Sequence, residues 1–222
     1  MNTPAQFQRV WDLPTRLFHW VLVLLIALQY ATGEFHFLDM RWHFWFGYAT
    51  LALVAFRVLW GFCGSQTSRF ADFLHGPAAV GRYIRSLFSA NPQAHVGHNA
   101  LGGWSVIALL ASVAVQVISG LFASDEIDTD GPLVAHVAER TVKWMTRVHH
   151  WNENVLLILV GLHVVAVLLY LVVKHENLIA PMLSGRRRMA EMRVLRFADG
   201  WLALVLFAIC AALVATLIWW AG

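Results

Sequence analysis

The stretch TRVHHWNENVLLILVGLHVVAVLLYLVV, residues 146–173, decides the fold. It is apolar over the length that a membrane-spanning helix needs, about 20 residues. It also carries two histidines, His149 and His163, fourteen residues apart. On an α-helix that spacing makes almost four turns and climbs about 21 Å. Both imidazoles then leave nearly the same face, one towards each side of a bilayer whose apolar core is about 30 Å thick. Ionisable side chains inside a membrane helix are rare and mark function. Two histidines stacked on one face point to two stacked metal centres.

The rest of the chain supplies neighbours for this helix. It has 222 residues, 59% of them hydrophobic and 13% charged, and a mean hydropathy of +0.61. A soluble domain would carry about 25% charged residues. Apolar blocks at about 17–37, 42–62, 102–123 and 200–221 join the one at 150–173. The chain therefore reads as an all-α integral membrane bundle of five spans, a single membrane domain over residues 1–222. The short alternating segments of a membrane β-barrel are not visible. The first block follows a polar stretch with Trp11, Asp12, Pro14 and Arg16 and lacks a small-residue cleavage site. It is read as a retained span rather than a signal peptide. Cys63 and Cys210 are far apart, at or within spans, and suggest neither a disulfide framework nor a zinc site.

Charge sets the expected topology. A net charge of +3 gives no support to a nucleic-acid role. Segments 1–16, 63–101 and 174–199 hold eleven of the sixteen Lys and Arg residues, and segments 34–41 and 124–149 hold four. By the positive-inside rule the N-terminus is cytoplasmic and, after five spans, the C-terminus is outside. The outer segments are acidic, with Glu34, Asp39, Asp125, Glu126, Asp128, Asp130 and Glu139. The run Arg186–Arg188 reads as a topology signal beside anionic lipid headgroups. A short amphipathic helix is expected around 77–88. Another helix, lying on the membrane surface, is expected over 133–146, after the Gly131-Pro132 break. No internal repeat is visible.

Four histidines pair by depth. His19 lies near the inner end of span one and His163 near the inner end of span four. His43 lies near the outer end of span two and His149 opens span four. Two bis-histidine sites, one above the other, follow. Neutral imidazole is a standard axial ligand of haem iron, and a bundle core suits such a cofactor. The plain alternative is that each histidine is interfacial, with its polar tip among headgroups. His150 competes with His149. Fourteen residues fall about 40° short of whole turns and thirteen about 140° short, so His149 shares the face of His163. His36 sits in the outer turn, His98 precedes span three, and His75, His95, His136 and His175 read as surface residues.

Gly33, fourteen residues after His19, should face the outer layer and leave room for a macrocycle, and Gly47 lies one turn from His43. Gly102 and Gly120 share a face of span three, where ordinary close packing is the competing reading. Arg57, fourteen residues after His43, lies at inner depth and needs a partner. A haem propionate is a natural one; Asp72 or a lipid phosphate is the alternative. Arg16 and Arg147 are weaker candidates. Trp42, Trp45, Trp60, Trp219 and Trp220 read as an aromatic belt. Gln29, Glu34 and Gln116 are polar residues in or near spans without an evident role.

The strings WDLPTRLFHW, WHFWFGYATLALVAFRVLWGF, GHNALGGW and VHHWNENVLLILVGLH resemble the bacterial cytochrome b561 family, which includes the b-type cytochrome subunits of nickel–iron hydrogenases. The resemblance covers about 8–175. It implies a four-helix dihaem core with two haem b groups, their ligands falling at His19, His43, His149 and His163. It further implies electron transfer in the bacterial inner membrane, between quinone or quinol and a partner such as hydrogenase subunits or a cytochrome c. The basic linker and fifth span, 176–222, depart from the four-helix members. Two readings compete: a metal-ion or proton transporter built on the same histidines, and a plain membrane anchor for a periplasmic enzyme.

Overall fold

The computed structural model describes residues 6–86, 96–127, 129–189 and 192–221. In chain order it has β1 (Gln6–Arg9), α1 (Leu13–Gly33), α2 (Met40–Cys63), α3 (Phe70–Phe73), α4 (Pro77–Ser86) and α5 (Ala100–Gly120). Then come α6 (Glu139–Val173), α7 (Ile179–Ser184), β2 (Arg186–Met189) and α8 (Gly200–Ala221). Among them α1, α2, α5, α6 and α8 are long and apolar enough to cross a membrane.

Local chemistry sets the ends of these helices. The Asp12 carboxylate accepts from Thr15 N at 2.8 Å, so α1 starts at Leu13, earlier than its apolar run. A capped start needs a side-chain acceptor and not hydropathy. Asp39 caps α2 through Arg41 N at 2.9 Å, and Asn99 caps α5 through Gly102 N at 2.7 Å. The surface helix expected over 133–146 does not form. Val134–His136 make one 3₁₀ turn, and α6 begins at Glu139 and continues unbroken for 35 residues. No Gly or Pro interrupts that junction, and Lys143 ties back to Glu139 at 2.6 Å. The amphipathic segment at 77–88 is realised as α4.

Two hairpins form the centre of the bundle. α1 packs on α2, α5 packs on α6, and α2 touches α5. Between them lies an apolar waist of Val54, Val113 and Leu156, flanked by Leu22, Ile26 and Val160. α8 lies outside, mainly against α2, where Phe56 and Trp60 meet Ala203 and Cys210. Trp60 is therefore no belt residue. It is fully buried and its indole donates to Asp12 Oδ2 at 3.1 Å. Elsewhere the spans present large apolar side chains outwards, as Ile158, Leu162 and Val165 do on α6. That is the pattern of helices facing lipid.

The two ends of the bundle differ. At the basic end, β1 pairs antiparallel with β2, Gln6 opposite Met189 and Arg9 opposite Arg186. The Arg186–Arg188 run is thus a strand closing on the N-terminal segment, with Arg187 ion-paired to Glu176. Neither strand alternates polar and apolar residues, so only the long-range pairing reveals them. At the acidic end lie the 34–39 link and the 121–138 connection, whose described residues include the bridge Ser124–Asp130.

Candidate functional site

At the acidic end, His43 from α2 and His149 from α6 face one another with ring centres 6.3 Å apart. Each ring is held from behind by the helix before its own. His43 Nδ1 donates to the Gln29 carbonyl at 3.1 Å and lies 3.2 Å from Thr32 Oγ1. His149 Nδ1 donates to the Gln116 carbonyl at 3.0 Å and lies 3.3 Å from Ser119 Oγ. A carbonyl can only accept, so Nδ1 carries the proton in both rings and Nε2 keeps its lone pair. Glycine makes the approach possible. A Cβ on Gly33 would stand 3.3 Å from His43 Cε1, and one on Gly120 only 2.9 Å from His149 Cε1. Around the pair lies a cavity of about 230 Å³, lined in part by Gly33, Gly47, Gly120 and Thr50. Gln116 Nε2 lies 3.3 Å from His149 Nε2, on the lone pair that a metal would take. A metal would displace that amide.

At the basic end, His19 from α1 and His163 from α6 lie 6.4 Å apart, centre to centre. Here several buried nitrogens lack hydrogen-bond partners. Among the described residues, four buried side-chain nitrogens lack a partner: Arg16 Nε, His19 Nδ1, Arg57 Nη1 and His98 Nδ1. Arg57 is buried against the rings of Phe18 and Phe70, 5.8 and 5.4 Å from its guanidinium carbon. Asp72 pairs with Arg69 instead, at 2.9 Å. Asp12 lies nearby, but its two oxygens already accept from Thr15 N and Trp60. His98 is wedged between Trp11 and Phe73, at 4.7 and 4.8 Å. Burial pushes its pKa down to about 3, and the neighbouring Arg57 cation adds to the fall.

Both pairs have the spacing of imidazoles that share a metal. A metal about 2 Å from each nitrogen, with about 1 Å more to each ring centre, needs centres about 6 Å apart. The glycine clearance at one end and the orphaned cations at the other suit a flat macrocycle with acidic substituents. The family model for the prokaryotic cytochrome b561 matches residues 10–185. The chain belongs to that family. It is a multi-pass membrane b-type cytochrome, an electron carrier that binds haem b. No curated protein and no solved structure matches it.

Other residues of the cytochrome fall as follows. His150 is exposed, its ring 6.0 Å from that of His149. His36, His75, His136 and His175 are exposed, His136 stacking on Trp220 at 4.7 Å, and His95 lies outside the described residues. Arg147 is exposed. Gly102 lies against its own cap, Asn99, so it does not share the role of Gly120. The composition of the spans conceals Thr32, Ser119 and the carbonyls of Gln29 and Gln116 as histidine partners. One signal could have found them: QYATG at 29–33 and QVISG at 116–120 share the pattern Gln-x-x-Thr/Ser-Gly.

Proposed function

We propose that this b561-family chain is a transmembrane dihaem cytochrome carrying electrons between the quinone pool and a partner redox protein, of hydrogenase or cytochrome c type. One observation carries the reading: two imidazole pairs, at opposite ends of one bundle, with near-equal ring separations of 6.3 and 6.4 Å. His43 and His149 would hold the outer haem, and His19 and His163 the inner one. Gly33 and Gly47 would leave room for the outer macrocycle. Arg57, helped by Arg16, would neutralise the propionates of the inner one. Haem supplies the one-electron iron couple, and its potential depends on axial ligands, burial and nearby charge. The protein residues orient the rings, exclude water and supply that charge. A quinone or quinol would bind near one haem at a membrane face. The dihaem core occupies residues 8–175. The segment 176–222 adds a basic linker and a fifth helix, available to a partner subunit.

Purified protein should release two protohaems per chain on acid extraction. His163→Ala should remove the inner haem alone and His43→Ala the outer one alone. A wild-type protein with one haem, or a variant that keeps both, would overturn the reading.

A further inference from the structure

The outer histidines are held by two copies of one device. Gln29, Thr32 and Gly33 on α1 serve His43, and Gln116, Ser119 and Gly120 on α5 serve His149. The copies reach their histidines through connections of very different length, ten residues from Gly33 to His43 and twenty-nine from Gly120 to His149. The shared arrangement is therefore not a by-product of one loop geometry.

Each hydroxyl is locked as an acceptor for its ring. Thr32 Oγ1 gives its own proton to the carbonyls of Leu28 and Gln29, at 2.8 and 3.0 Å. Ser119 Oγ does the same to Val115 and Gln116, at 2.7 and 3.1 Å. A lone pair is left towards the imidazole, so each Nδ1–H is shared between a peptide carbonyl and a hydroxyl. The glutamine side chains are themselves braced from the histidine helices, Gln29 by Thr50 at 2.9 Å and Gln116 by Asn152 at 2.7 Å. At the basic end nothing comparable exists among the described residues: His19 Nδ1 has no hydrogen-bond partner.

We propose that Gln-x-x-Thr/Ser-Gly is a duplicated imidazole-holding motif, with Thr32 and Ser119 as positioning residues that strengthen both axial ligands of the outer haem. The inference rests on the dihaem reading. Hydrogen bonding at the distal ring nitrogen raises the basicity of the ligating one. A more basic ligand favours iron(III), so the outer centre has the lower potential. Arg57 and Arg16 would offset the negative charge of the propionates at the inner centre, which favours iron(II) and acts in the opposite sense. Electrons at equilibrium therefore collect at the inner haem.

The test is an optical redox titration with low-temperature EPR on haem-loaded wild type, Thr32→Val, Ser119→Ala and the double variant. The His43→Ala protein identifies which signal is the outer one. The double variant should keep two haems, show a raised outer potential and altered outer g values, and leave the inner centre unchanged. Each single variant should shift the outer potential part of the way, and Thr32→Ser should keep the wild-type value. Unmoved potentials, or equal shifts of both centres, would overturn the motif. Fewer than two haems in the wild type would instead sink the dihaem reading, before any variant is compared.

Discussion

Gly33 and Gly120 occupy equivalent places with different clearances. A Cβ on Gly120 would press into His149 Cε1 at 2.9 Å, and the neighbouring Nδ1 is only 3.2 Å away. The ring cannot yield without losing the Gln116 carbonyl behind it. At Gly33 the gap to His43 Cε1 is 3.3 Å, which a small displacement of the ring relieves. Gly120→Ala should therefore cost the outer haem, halving haem per chain, while Gly33→Ala keeps both haems with a perturbed outer absorption band. Haem extraction and difference spectra separate the two. Much at this scale is readable without coordinates. Helix phase alone separates His149 from His150, and depth alone sorts four histidines into two layers. What escapes is the set of partners behind the rings. Thr32 and Ser119 read as ordinary small polar residues inside apolar runs, because the acceptors they assist are backbone carbonyls, which every residue has.

Among the elements, α1 shows how a single side chain ties a helix into the bundle. Asp12 caps α1, is almost wholly buried and accepts the indole proton of Trp60 on α2. Asp12→Ala removes the cap, worth about 1 kcal/mol, and leaves a buried N–H unpaired, worth about 1–3 kcal/mol more. Denaturant unfolding in detergent should show a loss of about 2–4 kcal/mol. Helix existence was legible because an apolar run of some twenty residues has few other solutions in a membrane. Boundaries were less so. Hydropathy misses the capped first turn of α1, and it splits off the first part of α6, which in fact runs unbroken from Glu139. The strands β1 and β2 were illegible, since QFQR and RRRM carry no period and pair across some 180 residues.

For the molecule as a whole, charge asymmetry predicts orientation. Reporter fusions after residue 86 and near 190 should lie on the cytoplasmic side, and a fusion after residue 222 on the opposite side. Protease protection or periplasm-dependent reporters would reveal the reverse. The basic end, with its strand pair and orphaned cations, then faces the cytoplasm, and the outer pair faces away from it. Between the two lies the waist of Val54, Val113 and Leu156. A chain of water needs two to four polar partners at each step, and these three side chains offer none. On the proposed dihaem arrangement the bundle would be an insulator around a conductor. Electrons would step between its ends past side chains that give protons no relay, so each transfer would separate charge and act on the membrane potential.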